Sequence, residues 1–237
     1  REQIIKLKQI DHPGLVVYED PGHWQGLHFL PMELVWGPEN RAMNLLHYGR
    51  MFESRVEELS LAKIFVHLLD VLGCLHEHGI VHGCLKPANI LFAAKGFELD
   101  EFQRWRVQLK VTDTALFQLW GQEGYRREII SAREELDPRK RSAADTLALI
   151  ESGEFICPHW LEHGGQLNVQ TDIYSLGRIL VMLLTGQRVP VKPTIQIRPE
   201  LNPGWDDIIA RAIDPVPENR FQNTREMAQA IADLKLP

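Results

Sequence analysis

The stretch TDIYSLGRILVMLLTG, Thr171 to Gly186, is apolar on nearly every side of a helical wheel. A surface helix keeps one polar face, whereas this one must be enclosed from several sides. Its fold therefore needs a core deep enough to surround a helix. A chain of 237 residues can build such a core, as one large domain or as two lobes. Gly186 supplies the stop.

The other segments arrange themselves around this requirement. LSLAKIFVHLLDVLGCLHEHG predicts a second long helix, with Leu61, Ile64, Phe65, Leu68, Leu69, Leu72 and Leu75 on one broad apolar stripe and Gly79 at its end. PGWDDIIARAI and TREMAQAIADL read as amphipathic helices flanking a DPVPENRFQ loop. At the start, REQIIKLKQI carries Ile4, Ile5, Leu7 and Ile10 at helical spacing until DHPG breaks it. LVVYED and LHFLPMELV read as two strands joined by PGHWQG, and Pro31 places the second at an edge or bulge. WGPENRAMNLLHYGRM reads as a loop and a short helix. Short strands are expected at IVHG, NILFA and VQLKVTD, the last two joined by the polar stretch from Lys95 to Arg106. Residues 118–152 show mixed charge and no strong core face, although RREIISAREEL has helical character. They read as a long, partly mobile surface segment. The order implies an α+β layout with a small first lobe and a larger helical second lobe.

Composition narrows the function classes. Hydrophobic residues at 44 % and charged residues at 24 % are ordinary for a soluble globular protein. A net charge of −6 argues against nucleic acid as a partner. No apolar run approaches the roughly 20 residues of a membrane span, so none is expected. Cys74, Cys84 and Cys157 make no disulfide framework, which points to a reducing cytoplasmic setting. The abrupt start reads as that of a trimmed domain.

The chemistry concentrates in HEHGIVHGCLKPANILF, His76 to Phe92. Three readings compete. Cys74, His76, His78, His82 and Cys84 are all zinc-ligand types, but Cys74 and His78 share a helix face while His76 does not, and no second pair stands at zinc-finger spacing. Cys84 beside His82 suggests a thiolate–imidazole pair, yet residues two apart in extended chain point to opposite sides. The third reading accounts for more residues. HGIVHGCLKPANILF resembles the catalytic loop of the protein kinase family, whose pattern is His-Arg-Asp, Leu, Lys, and Asn five residues after the Asp. His82, Gly83 and Cys84 take the first three places, and Leu85, Lys86, Pro87 and Asn89 follow in register.

Further motifs resemble the same family in the right order. LKVTDTALF is similar to the strand entering the family's Asp-Phe-Gly, with Asp113 in the magnesium-ligand place and Thr114 and Ala115 replacing Phe and Gly. FICPHW resembles its Ala-Pro-Glu, with Cys157, Pro158 and His159 in those places. Asp172 matches the carboxylate that holds the catalytic-loop backbone, and Arg220 the structural arginine. IIKLKQIDHPGLVV looks like the end of helix C and the next strand, which puts the family's glutamate at or beside Gln3, next to Glu2. MELV looks like the hinge, with Met32, Glu33 and Val35.

The resemblance implies a protein-kinase-like α+β fold, mainly the helical C-terminal lobe with a truncated N-terminal lobe. It divides the chain into residues 1–35, a partial N-lobe, and residues 36–237, a helical C-lobe with an activation-like segment at 113–159. The degenerate positions are Gly83, Cys84, Thr114, Ala115 and His159. Cys84 is the weightiest, because a neutral thiol is a poor acceptor and loss of a positioned base costs about 10² to 10⁴ in rate. Thr114 has little apolar surface, and its hydroxyl needs a partner if buried. Ala115 lacks glycine's freedom at unusual backbone angles. Lys86, Asn89 and Asp113 remain as residual nucleotide and magnesium contacts or as loop-bracing groups. His82, Asp172 and Arg220 are expected to be structural, with Arg220 partly exposed or re-paired because His159 replaces its glutamate. His76 and His78 are expected to be ordinary helix-end residues. The chain is thus expected not to be an enzyme but a pseudokinase: a scaffolding or regulatory module that binds another protein, docking through 118–152 or the helical lobe's grooves. It would need no cofactor and no metal, with ATP and magnesium bound weakly if at all. The alternative is an atypical active kinase or nucleotide sensor using Asp113 and Asn89.

Overall fold

The structure is a computed structural model that describes residues 2–37, 42–47, 57–93, 108–119, 121–134, 143–187 and 194–236. The predicted loop from Lys95 to Arg106 lies outside them, as do parts of the 36–51 stretch and of 118–152.

The chain opens with helix α1 (Glu2–Lys8), followed by a hairpin of β1 (Gly22–Trp24) and β2 (Leu27–Phe29). This hairpin lies within and just past the stretch read as a turn. The LVVYED and PMELV segments run alongside each other through a bridge between Tyr18 and Met32, with Glu19 N–H donating to the Pro31 carbonyl and Glu33 N–H to that of Val17. Regular pairing does not extend further, because Pro31 has no N–H to give a ladder.

The long helix α2 (Glu58–Glu77) buries the predicted stripe, with Leu61, Phe65, Leu68, Leu72 and Leu75 all inaccessible. In length and composition it could cross a bilayer, contrary to the expectation that no segment would. Half of its most apolar window is buried inside the protein, which is how a core helix meets the same test. After it come β3 (Ile90–Phe92) and β4 (Leu109–Val111), paired antiparallel with Ile90 opposite Val111. The IVHG segment is not a strand. The N–H of Ile80 closes the end of α2 on the Leu75 carbonyl, and that of His82 turns inward to the Asp172 carboxylate.

Residues 118–152 depart most from expectation. They include α3 (Gln122–Glu134) and most of α4 (Ala143–Phe155), packed on each other. Tyr125, Ile129 and Ala132 of α3 are buried. Arg133 donates to the Gly153 carbonyl at 2.7 Å, and Gly153 sits where an added Cβ would collide with Ile129 and Arg133. A short α5 (Pro158–His163) precedes α6 (Val169–Thr185), the helix that constrains the fold. Fourteen of its residues are buried. Asn168 and Thr171 cap its start reciprocally, and Gly186 ends it in the left-handed conformation, with its N–H on the Met182 carbonyl.

The chain continues through α7 (Thr194–Ile197), α8 (Gly204–Ala212) and α9 (Thr224–Ala232). Helix α8 packs on α6, and α9 on α2. Trp205, fully buried, donates its indole N–H to Glu58 at 2.9 Å, tying α8 to the start of α2. The result is a helical body around α2 and α6, with the β3–β4 hairpin and the 15–35 segment along one side. Leu15 bridges Val111 there, and Lys110 reaches Glu33.

Candidate active site

The loop from His82 to Asn89 is held from below by one carboxylate. Asp172, fully buried near the start of α6, accepts from the backbone N–H of His82 at 2.9 Å and of Gly83 at 2.8 Å. Its third partner is His76 Nε2 at 2.8 Å. His76 is therefore no ordinary helix-end residue: the last turn of α2 carries it into the same cluster, a link that sequence spacing alone did not reveal. His78 does stay local, with Nδ1 on the Cys74 carbonyl.

His82 lies in the core beneath the loop. Its Nε2 is 3.0 Å from the Thr112 carbonyl, and its Nδ1 faces the Cys84 N–H at 3.4 Å. A carbonyl on one nitrogen and an N–H on the other fix the neutral tautomer with the proton on Nε2. Burial pushes the imidazole pKa below its ordinary value, against the pull of Asp172.

Gly83 has φ +72°, and a Cβ there would meet the Phe117 ring at 2.4 Å. Cys84, in the place of the family's base, turns its thiol to the Asp113 carbonyl, with Sγ to O at 2.9 Å. Asn89 donates its side-chain amide to the Cys84 carbonyl at 3.1 Å, and its own carbonyl accepts from Thr112 N–H. Loop, β3 and β4 are thus cross-braced. Asp113 and Ala115 both sit at positive φ, +60° and +57°, a region L residues with a Cβ enter at a cost. Thr114 is buried at 2 % exposure, and its hydroxyl has no hydrogen-bond partner.

Lys86 reaches α4. Its ammonium donates to the Ala148 carbonyl at 3.0 Å and to Ser152 Oγ at 3.1 Å, with the Glu151 carboxylate at 3.7 Å. Tyr125 of α3 is hydrogen-bonded to Ser152, and burial raises the pKa of its hydroxyl. The sequence reading missed these contacts. The signal was there in Tyr125, Ile129 and Ala132, a helical stripe set among charges.

Among the hinge residues, Val35 is buried and Glu33 accepts from Val17 N–H at 2.9 Å. Met32 is largely exposed but receives the Thr112 hydroxyl on sulfur. The side chains of Glu2 and Gln3, proposed for the helix C glutamate, lie outside the described residues. Arg220 is not partly exposed: it is 1 % accessible and has been re-paired. It donates to the carbonyls of Asp214 (2.7 Å), Gln170 (3.1 Å) and Pro215 (3.3 Å) and to Cys157 Sγ (3.0 Å), and stacks over Tyr174. His159 is exposed, with its ring against the edge of His163. Among the described residues, no group of three or more His, Cys, Asp or Glu side chains is placed to hold a metal ion.

A helical body, a loop braced from beneath by a buried aspartate, and a second aspartate at the end of a short hairpin define a protein-kinase-like fold, mainly its helical lobe. The Mycobacterium tuberculosis PknI kinase domain has the same fold, with a TM-score of 0.65 at 18 % identity over 98 % of this chain and 76 % of that one. The pattern of the family described as protein kinase domain matches residues 1–198, and the chain belongs to that family. Relatives include a probable serine/threonine-protein kinase PknB of Lactococcus lactis, 24 % identical over 98 % of this chain and 34 % of its own length. CBL-interacting protein kinase 21 of Oryza sativa is 27 % identical over 94 % of this chain and 38 % of its own. The chain thus spans about a third of the length of these curated relatives. Membership in this family, among relatives named as kinases, overturns the expectation that the chain is not an enzyme.

Proposed function

We propose that the chain is a protein kinase domain with attenuated phosphoryl transfer, whose output is chiefly regulatory recognition of another protein. The observation that carries this reading is the Cys84 thiol. It stands in the family's base position and spends its single proton on the Asp113 carbonyl. An acceptor hydroxyl arriving there meets sulfur with its donor already engaged, not a carboxylate oxygen ready to accept a proton.

The remaining groups suit magnesium and nucleotide in part. Asp113 offers a hard carboxylate oxygen, and Asn89 a carboxamide oxygen while its N–H₂ braces the loop. Two such oxygens fit a cation that takes its other ligands from phosphates and water. When bound, magnesium would supply charge neutralisation for the transferring phosphate. Asp113 and Asn89 would position it, and Asp172 would hold the loop beneath. In this reading residues 1–35 act as the small lobe with Met32, Glu33 and Val35 as hinge, and residues 36–237 as the large one. The three cysteines are all free thiols, which suits a cytoplasmic setting.

Transfer of γ-phosphate from Mg-ATP to a protein acceptor tests the proposal. Cys84→Asp is expected to raise the rate by about 10²-fold or more, and Asp113→Asn is expected to lower nucleotide affinity. A Cys84→Asp variant no faster than the parent chain would remove the reading.

A further inference from the structure

We propose that the cavity between α2, α6 and α9 is an effector site for a small organic cation, read by the His82–Asn89 loop through His76 and Asp172. The site goes beyond the reading above and needs neither nucleotide nor phosphoryl transfer.

The cavity holds about 590 Å³, within the roughly 300–1,000 Å³ of small-molecule pockets. One wall is α2, and the other is made by the starts of α6 and α9. Gly73 lets α9 come close, since a Cβ there would meet Thr224 Oγ1 at 2.8 Å. Leu69, Val169 and Ala228 supply apolar lining. Asp70, Cys74 and Glu77 bring one polar face of α2 to the same space. Asp70 reaches His12 at 3.2 Å, and Glu77 is exposed with no ion pair among the described residues. Arg225 of α9 is exposed there too, outnumbered by the two carboxylates. The Cys74 thiol is pushed above its ordinary pKa, first by burial and then by Glu77 and Asp70, which marks the local field as negative.

His76 connects this cavity to the loop. Its side chain is 9 % exposed and lines the wall, with Nε2 at 2.8 Å from Asp172 Oδ2. Nε2–H donates to that carboxylate, so in the neutral ring Nδ1 is an acceptor, and it has no partner among the described residues. A nearly buried nitrogen with an unused lone pair, in an acidic surround and beside apolar carbons, suits a ligand with N–H donors, positive charge and an apolar body. An arylamidine or an alkylamine has that chemistry. Donation to Nδ1 polarises the ring and strengthens its bond to Asp172. Asp172 in turn holds the N–H groups of His82 and Gly83, so occupancy favours the loop arrangement in which those bonds are made.

The probe is benzamidine, with benzamide and benzoate as its neutral and anionic counterparts. Each is titrated into the full chain and followed by NMR at the imidazole nitrogens of His76. Benzamidine should bind saturably and at least about tenfold more tightly than benzamide, the worth of a charge-assisted hydrogen bond. Glu77→Gln should cut that preference by about threefold, the size of an exposed charge pair. On saturation, amide hydrogen exchange at His82 and Gly83 should slow. No saturable shift at His76, or benzoate binding as tightly as benzamidine, overturns the site, as does a preference that Glu77→Gln leaves whole. A shift at His76 with exchange at His82 and Gly83 unchanged overturns the link to the loop.

Discussion

At Thr114 a hydroxyl is buried without a partner. A buried, unsatisfied hydroxyl costs about 1–3 kcal/mol. Thr114→Val keeps the shape and removes the orphan, so it should raise stability by about 1 kcal/mol in urea denaturation. His82 has the opposite character: every polar atom is used, and the neutral ring is required. Because its pKa in the fold lies below the ordinary 6.5, the unfolded chain takes up a proton before the folded one does. Stability from this group is full above pH 6.5 and declines as pH falls below it toward the depressed folded value. His82→Gln should flatten that part of the pH–stability curve, whatever it costs at neutral pH. The residue identities at both sites could be read from the sequence. The missing partner and the tautomer could not: the tautomer depends on the Thr112 carbonyl just past β4 and on the Cys84 N–H, and the orphan on what the fold brings around Thr114.

Helices whose apolar pattern is dense were legible at their full length. Helices α2, α6, α8 and α9 all lie where spacing and stop residues put them, within a few residues. Helix α6 starts two residues before the expected Thr171, where Asn168 and Thr171 bond each other's backbone as a cap. Asn168→Ala should cost about 1 kcal/mol, read as a lowered urea midpoint at unchanged slope. Helices α3 and α4 were not legible as packed elements. In α3 six charged residues outnumber a buried stripe of three, and α4 has no clear apolar face of its own; the surfaces that bury them belong to the loop, to α6 and to each other. The strands fared worst, since three-residue ladders are set by tertiary partners more than by alternation.

Across the whole molecule, Arg220 joins parts that are distant in sequence. Its guanidinium gathers the 214–215 turn, the Gln170 carbonyl in the first turn of α6, and Cys157 at the end of the activation-like segment. The fork geometry is essential, because four acceptors surround one planar group. Arg220→Lys should therefore fail to substitute, with a loss of about 3 kcal/mol and a fall in Tm of about 6–12 °C by calorimetry. The overall fold was recoverable because ordered motifs spanned nearly the whole chain. The arrangement of residues 118–152 beside the loop was not, since no single motif encodes it. The ring of Phe117, lying against Gly83, has a consequence for any attempt to rebuild the loop. A side chain at position 83 would meet that ring at its first carbon and would have to hold a left-handed backbone, so restoring an arginine there needs a smaller residue at position 117 as well.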